Sequence, residues 1–235
     1  MARVPVDIEG ATVAERRARA TPGTAIDDLR RVLCFEPRGH ADMYGGFITP
    51  PDNDGADFGV LFWHKDGFST ACGHGTIALG AWAIENGVLP PDSSGLSTVT
   101  IDVPSGRVQA MVHHPAGPVI GVDFVNVPSY LIAQDVLLET SRGSVSVDIA
   151  FGGAIYAQVN AAHAGLSVEP ASTNELIGFG REVKQQLIDS EFAKHPTDSR
   201  LDGIYGTILF EDLGNSARPR RCSGLRCSVQ VEDRT

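Results

Sequence analysis

The sequence predicts an α+β protein built from two α/β halves. Three observations carry this. Short alternating strands separated by turns fill residues 98–124 and again 144–159. A short helix at 76–85 has almost no polar face, and a long amphipathic helix spans 173–192. Between the two blocks, Val127-Pro128-Ser129-Tyr130 reads as a crossing point, so the halves meet near 125–140 and are set at 1–125 and 126–235.

The first half opens with an Ala- and Arg-rich helical stretch at 11–20. A second helix runs from about Thr24, a candidate N-cap, through Leu33, with Asp27 and Asp28 in its first turn. It ends by Glu36, because Pro37 disfavours helix at the residue before it. Tyr44-Gly45-Gly46-Phe47-Ile48-Thr49 is a strand, 50–55 a Pro- and Asp-rich loop, and 57–64 a second strand apolar enough to be buried on both faces. After the Lys65-Asp66-Gly67 turn and Ser69-Thr70-Ala71-Cys72-Gly73-His74-Gly75, the short helix runs to Asn86-Gly87, a common C-terminal pair. Lacking a polar face, it is expected to be surrounded by protein. Strands follow at 99–103, 108–112 and 119–124. In the second half, 144–151 alternates, Gly152-Gly153 breaks it and 154–159 resumes. In the long helix Leu176, Ile177, Phe179, Val183, Leu187, Ile188 and Phe192 share a face, with His195-Pro196 closing it, and 201–210 returns to strand.

Composition narrows the function. The 235 residues hold 19 Lys and Arg against 29 Asp and Glu, a formal charge of −10, which argues against binding nucleic acid or an anionic membrane surface. With 42% hydrophobic and 20% charged residues the chain is globular, and its 26 Gly and 14 Pro suit many tight turns. There is neither an apolar run long enough for a membrane span nor an apolar leader, so the expected location is cytoplasmic. In that setting the ordinary role of Cys34, Cys72, Cys222 and Cys227 is a buried thiol, and disulfides are not expected.

Cys72 is the exception. A Cys just before a helix feels the positive end of the helix dipole and its unpaired N–H groups, which favour thiolate over thiol. Gly73 and Gly75 allow close approach to the backbone, whose N–H groups can hold a carboxylate. A thiolate beside a bound carboxylate suits removal of the proton α to it. A buried Cys with a Gly-rich capping turn is the plainer alternative. His74 either donates to a ligand or is merely a first-turn residue. Tyr44 and Phe62 are core or pocket lining. His40, within Glu36-Pro37-Arg38-Gly39-His40-Ala41-Asp42, reads as an ion-pair brace before a catalytic acid. His113, His114 and His163 lack metal spacing. Cys222 and Cys227 lack the further ligands zinc requires, so no metal is expected. The Arg218, Arg220, Arg221 and Arg226 run reads as a solvated face or tail. Phosphate-loop, dinucleotide-binding and Gly-x-Ser-x-Gly patterns are missing.

Glu36-Pro37-Arg38-Gly39-His40-Ala41-Asp42-Met43-Tyr44-Gly45, Gly55-Ala56-Asp57-Phe58-Gly59-Val60, Cys72-Gly73-His74-Gly75-Thr76-Ile77-Ala78 and Val147-Asp148-Ile149-Ala150-Phe151-Gly152-Gly153-Ala154 resemble the proline racemase family. That family includes proline racemases, hydroxyproline epimerases and trans-3-hydroxy-L-proline dehydratases, and the similarity runs from about Gly10 to Asp212. The resemblance implies a diaminopimelate-epimerase-like fold of two pseudo-symmetric halves, each with β-structure around a central helix, and an active site in the cleft between them. It implies a cofactor-independent enzyme acting on a small imino acid, proline or hydroxyproline, with a homodimer as an allowed assembly. Cys72 falls on the family's first catalytic thiol, Gly73 and His74 on its carboxylate-binding segment, and Tyr44 and Phe62 on apolar pocket positions.

Relative to the family pattern the chain is short at both ends. Glu232-Asp233-Arg234-Thr235 matches the start of the segment that supplies the second catalytic position, so that position is expected beyond residue 235, leaving the second half short of its central helix. Asp233 matches a substrate-binding Asp, whereas 216–228 does not resemble the family. A Cys at the second position implies racemisation or epimerisation, a Thr or Ser dehydration. The text around 67–80 and Ile204-Tyr205-Gly206-Thr207-Ile208-Leu209 is closer to the dehydratases, and the reading leans there. An inactive form that only binds an imino acid or a partner is the alternative from another class.

Overall fold

In the computed structural model the described residues are 8–40, 42–212 and, as backbone, 227–231. They divide into two compact units, one up to Pro128 and the other from Ser129.

The first unit begins with α1 (Val13–Arg19), whose N-cap Thr12 hydroxyl accepts from the Glu15 N–H, and α2 (Ala25–Cys34). Thr24 is the N-cap of α2, though its side chain does not cap it; its hydroxyl donates instead to the Thr21 carbonyl, 2.7 Å. Strands β1 (Tyr44–Thr49) and β2 (Phe58–His64) pair antiparallel, and the two-residue β3 (Gly67–Phe68) returns beside β2. Helix α3 (Gly73–Glu85) crosses over to β4 (Leu96–Val103), which lies parallel to β2; β5 (Gly106–His113) and β6 (Gly121–Val125) extend the sheet antiparallel. A helical crossover is what a parallel pair demands.

β2 is buried along six of its seven residues, as its unbroken apolar text required. Leu61 and Trp63 join Val13, Ile26, Cys34, Phe47 and Phe68 in a core under α1 and α2. Helix α3 packs on β4, β5 and β6, burying Leu79, Gly80, Ala83 and Ile84. Its other side is less covered than its apolar text suggests. His74, Ile77 and Ala78 are exposed, because a straight helix on a sheet presents only one side to it. The contact with β5 is close at Gly80, where a Cβ would lie 2.4 Å from the Ala110 Cβ. Gly80→Ala should therefore cost about 1–3 kcal/mol from overpacking despite the ~1 kcal/mol helix-propensity gain, read as a lower urea midpoint with unchanged slope.

The second unit is a five-stranded sheet in the order β11-β10-β9-β8-β7. Its strands are β7 (Tyr130–Thr140), β8 (Gly143–Phe151), β9 (Ile155–Asn160), β10 (Ile204–Glu211) and β11 (Cys227–Val231). β9 and β10 are parallel, joined through α4 (Thr173–Leu187), which packs on β10; there the Thr207 hydroxyl donates to the Gly180 carbonyl, 2.9 Å. The helix stops five residues short of the predicted end. Ser190 turns both its N–H and its hydroxyl onto the Leu187 carbonyl, at 3.1 and 2.7 Å, a local bond that competes with further helix. Ile188 is left exposed. Among the described residues, no helix is long and apolar enough to cross a membrane.

Candidate active site

Cys72 is the N-cap of α3, its backbone extended at φ −158°, ψ 107°. The segment ahead of it is fixed at two points: the Ser69 N–H donates to the Phe62 carbonyl (3.0 Å) and the Ser105 N–H to the Thr70 carbonyl (3.1 Å). Together they stitch 69–72 between β2 and the β4–β5 turn. The Thr76 N–H and hydroxyl both donate to the Cys72 carbonyl, at 3.0 and 2.8 Å. The Sγ points back over the first turn, where it accepts the Gly75 N–H at 3.3 Å. With the Gly75 and Thr76 N–H groups engaged, those of Gly73 and His74 have no partner inside the helix. They lie at the start of α3 next to the sulfur, an arrangement of backbone donors that suits an anion.

Gly75 is needed at this distance, and Gly73 has little room to spare. A Cβ on Gly75 would sit 2.6 Å from Cε1 of Phe62 and 3.0 Å from the Cys72 Sγ; one on Gly73 would sit 3.2 Å from Cε1 of Phe124. Phe62 is 2% exposed and cannot swing away. Gly75→Ala is expected to cost about 1–3 kcal/mol and to displace the thiol, seen as a lower melting temperature together with slower alkylation of Cys72.

The His74 ring is exposed and holds both its nitrogens 3.6 Å from the Cys72 Sγ, so either tautomer can donate to sulfur. Tyr44, half-buried on β1, packs its ring on His74 (centroids 5.3 Å apart), His64 (5.9 Å) and Phe62 (6.3 Å), and its hydroxyl is hydrogen-bonded to that of Ser69. The structure thus brings Tyr44, Phe62, Gly73 and His74 together around Cys72. Asp233 lies outside the described residues, as does Cys222, while β11 places only the backbone of Cys227. Phe124 and Ser69 were missed in the sequence. Phe124 sits fifty residues away on a neighbouring strand, and nothing local marks it. Ser69 stands three residues before the cysteine, where its hydroxyl was readable as a polar group entering an apolar corner.

Cys34 is a contrast among the described residues. It is free and 1% exposed; burial pushes its thiol up, partly offset by Arg30, so it stays protonated and inert. His40 is exposed and closes a turn, its Nδ1 accepting the Asp42 N–H at 3.2 Å. His114 is buried against the Ser97 hydroxyl, 2.7 Å. Among the described residues no three His, Cys, Asp or Glu gather as metal ligands.

The family model described as "Proline racemase" matches residues 4–233. The chain is 44% identical over 190 residues to a trans-3-hydroxy-L-proline dehydratase of Colwellia psychrerythraea, covering 80% of this chain and 53% of that protein. It is 45% identical over 227 residues to a protein of the same name from Azospirillum brasilense and 42% identical over 229 residues to a 3-hydroxyproline 2-epimerase of Burkholderia multivorans; each match covers 94% of this chain and 64% of the relative. The chain therefore spans between about half and two thirds of the length of these relatives. In fold it is similar to a hydroxyproline epimerase from Agrobacterium vitis solved with bound trans-4-OH-L-proline, with a TM-score of 0.84, 23% identity, and coverage of 99% of this chain and 67% of the other.

Proposed function

Because the chain belongs to the proline racemase family, we propose that its Cys72 thiolate removes the Cα proton of a hydroxyproline, and that the reaction is dehydration of trans-3-hydroxy-L-proline. The observation that carries this is the placement of the Cys72 sulfur at the start of α3. There it accepts the Gly75 N–H beside the Gly73 and His74 N–H groups, which would take the substrate carboxylate. Binding the carboxylate there lowers the cost of the carbanionic character that develops at Cα. Tyr44 and Phe62 would wall the ring of the imino acid, and Asp233 is retained as a substrate contact on family resemblance. The chemistry needs no cofactor: the thiolate takes the C2 proton, the C3 hydroxyl leaves as water by taking up one proton in its place, and the resulting enamine gains a proton at C3 and loses one from nitrogen to become a pyrroline carboxylate. The two free thiols at Cys34 and Cys72 fit a reducing, cytoplasmic setting.

Epimerisation at C2 is the second reading, favoured by the relative named 3-hydroxyproline 2-epimerase. It begins with the same proton removal and differs in returning a proton to the opposite face. Product analysis separates the two. Incubation with trans-3-hydroxy-L-proline should yield a product lighter by one water that is reducible as an imine. A product of unchanged mass and inverted C2 would establish the epimerase instead, and unaltered substrate would overturn both.

A further inference from the structure

We infer that Ser69 is a positioning residue for Cys72, acting through Tyr44 and His74. The inference rests on the reading of Cys72 as the base. The N–H groups within reach of the sulfur include the Gly75 amide, fixed by the helix, and the His74 imidazole. The imidazole is on an exposed first-turn side chain, free in principle to rotate toward water. What confines it is the Tyr44 ring packed against it. Tyr44 in turn sits on β1, only half-buried, and its far end is tied by the hydroxyl–hydroxyl bond to Ser69. Ser69 is 1% exposed, and its own N–H is held by the Phe62 carbonyl at 3.0 Å. The same Phe62 carries the ring that abuts Gly75. The imidazole and the amide that face the sulfur are thus both referenced to one point on β2, and Ser69 is the joint that extends this to the imidazole.

A donor held against sulfur favours thiolate, so losing the restraint should leave less thiolate at a given pH. Among the described residues, the titratable groups that face the cluster are Tyr44 from β1, His64 at the end of β2 with Asp66 from the turn after it, and His74 from α3. Neither Ser69→Ala nor Tyr44→Phe removes a charge, so a shift in the pH profile cannot come from a deleted ionisation near neutrality.

The test is the pH dependence of iodoacetamide alkylation of Cys72, followed by peptide mass on the full chain without substrate. Ser69→Ala and Tyr44→Phe should each slow alkylation at neutral pH about three- to tenfold and raise its midpoint. The double variant should be no slower than either single one, since both cut the same bond. Unchanged midpoints in the single variants, or effects that multiply in the double variant, would overturn the inference. Should Ser69→Ala fail to fold, Tyr44→Phe reports on the same bond from the half-exposed side. Because alkylation needs no turnover, a chain that alkylates as described yet leaves hydroxyproline untouched would refute the proposed reaction and leave the positioning role standing.

Discussion

Cys72→Ser should lower turnover of trans-3-hydroxy-L-proline by about 10²–10⁴-fold, the usual contribution of a positioned proton-transfer group, while leaving the fold intact. The two halves of that result come from different properties of one residue. As an N-cap, Cys72 sits with extended backbone and offers its side chain to the Gly75 N–H. Serine is among the preferred N-caps and makes the same bond with oxygen, so the melting temperature should hold or rise. As a base, a serine hydroxyl has no accessible anion near neutral pH. Among the described residues its ring neighbour His74 is the nearest candidate to take the proton, and its nitrogens sit at a distance that suits sulfur, not oxygen. Activity assays and thermal melts on the same preparation check the pair of outcomes. A loss of activity accompanied by unfolding would mean the residue is chiefly structural.

Arg30→Ala is expected to destabilise the chain by about 3–5 kcal/mol, the range for breaking a buried ion pair on one side. Asp27 and Arg30 lie one turn apart on α2 with side chains 3% and 5% exposed, joined at 2.7 Å. The guanidinium also donates to the carbonyl of His64, at 2.8 Å, and to that of Lys65. Truncation would strand a buried carboxylate and take a donor from each of the two carbonyl oxygens. With typical domain stability at ~5–15 kcal/mol, such a loss is a large fraction of the total. It should also reach the site. The carbonyls belong to the last residue of β2 and the turn that leads through β3 into Ser69 and Cys72, so Cys72 alkylation should change along with the denaturation midpoint. The pair reads in the sequence as first-turn acid and following base on one helix face, but the burial does not: only the fold shows that the turn of another element closes over it.

Local chemistry was the legible part. Cys72-Gly73-His74-Gly75 states both the helix start and the thiol placed on it, because capping is decided within four residues. β2 and α3 were legible from unbroken apolar text. β7 was not. Its register shifts between Leu131 and Ala133 and between Ala133 and Val136, with Asp135 at φ 55°, so the alternation that marks a strand is erased. The bulge is held from outside the strand, by the Asp148 carboxylate accepting the Asp135 N–H at 3.0 Å and the Ser146 hydroxyl donating to Asp135 at 3.1 Å. Which side of α3 faces the sheet was not legible, because an apolar residue list says how much surface asks for cover and not which side receives it. The walls of the site were half legible. Tyr44 and Phe62 came with the family resemblance, whereas Phe124 meets Gly73 only through the pairing of β5 with β6.

The most direct measurement is deuterium incorporation by the wild-type chain incubated with trans-3-hydroxy-L-proline in D2O, read by position with NMR. Proton removal by Cys72 predicts deuterium at C2 of recovered substrate, at C3 of the pyrroline carboxylate, or both. Substrate recovered with its C2 protium intact, and no deuterated product, would contradict it.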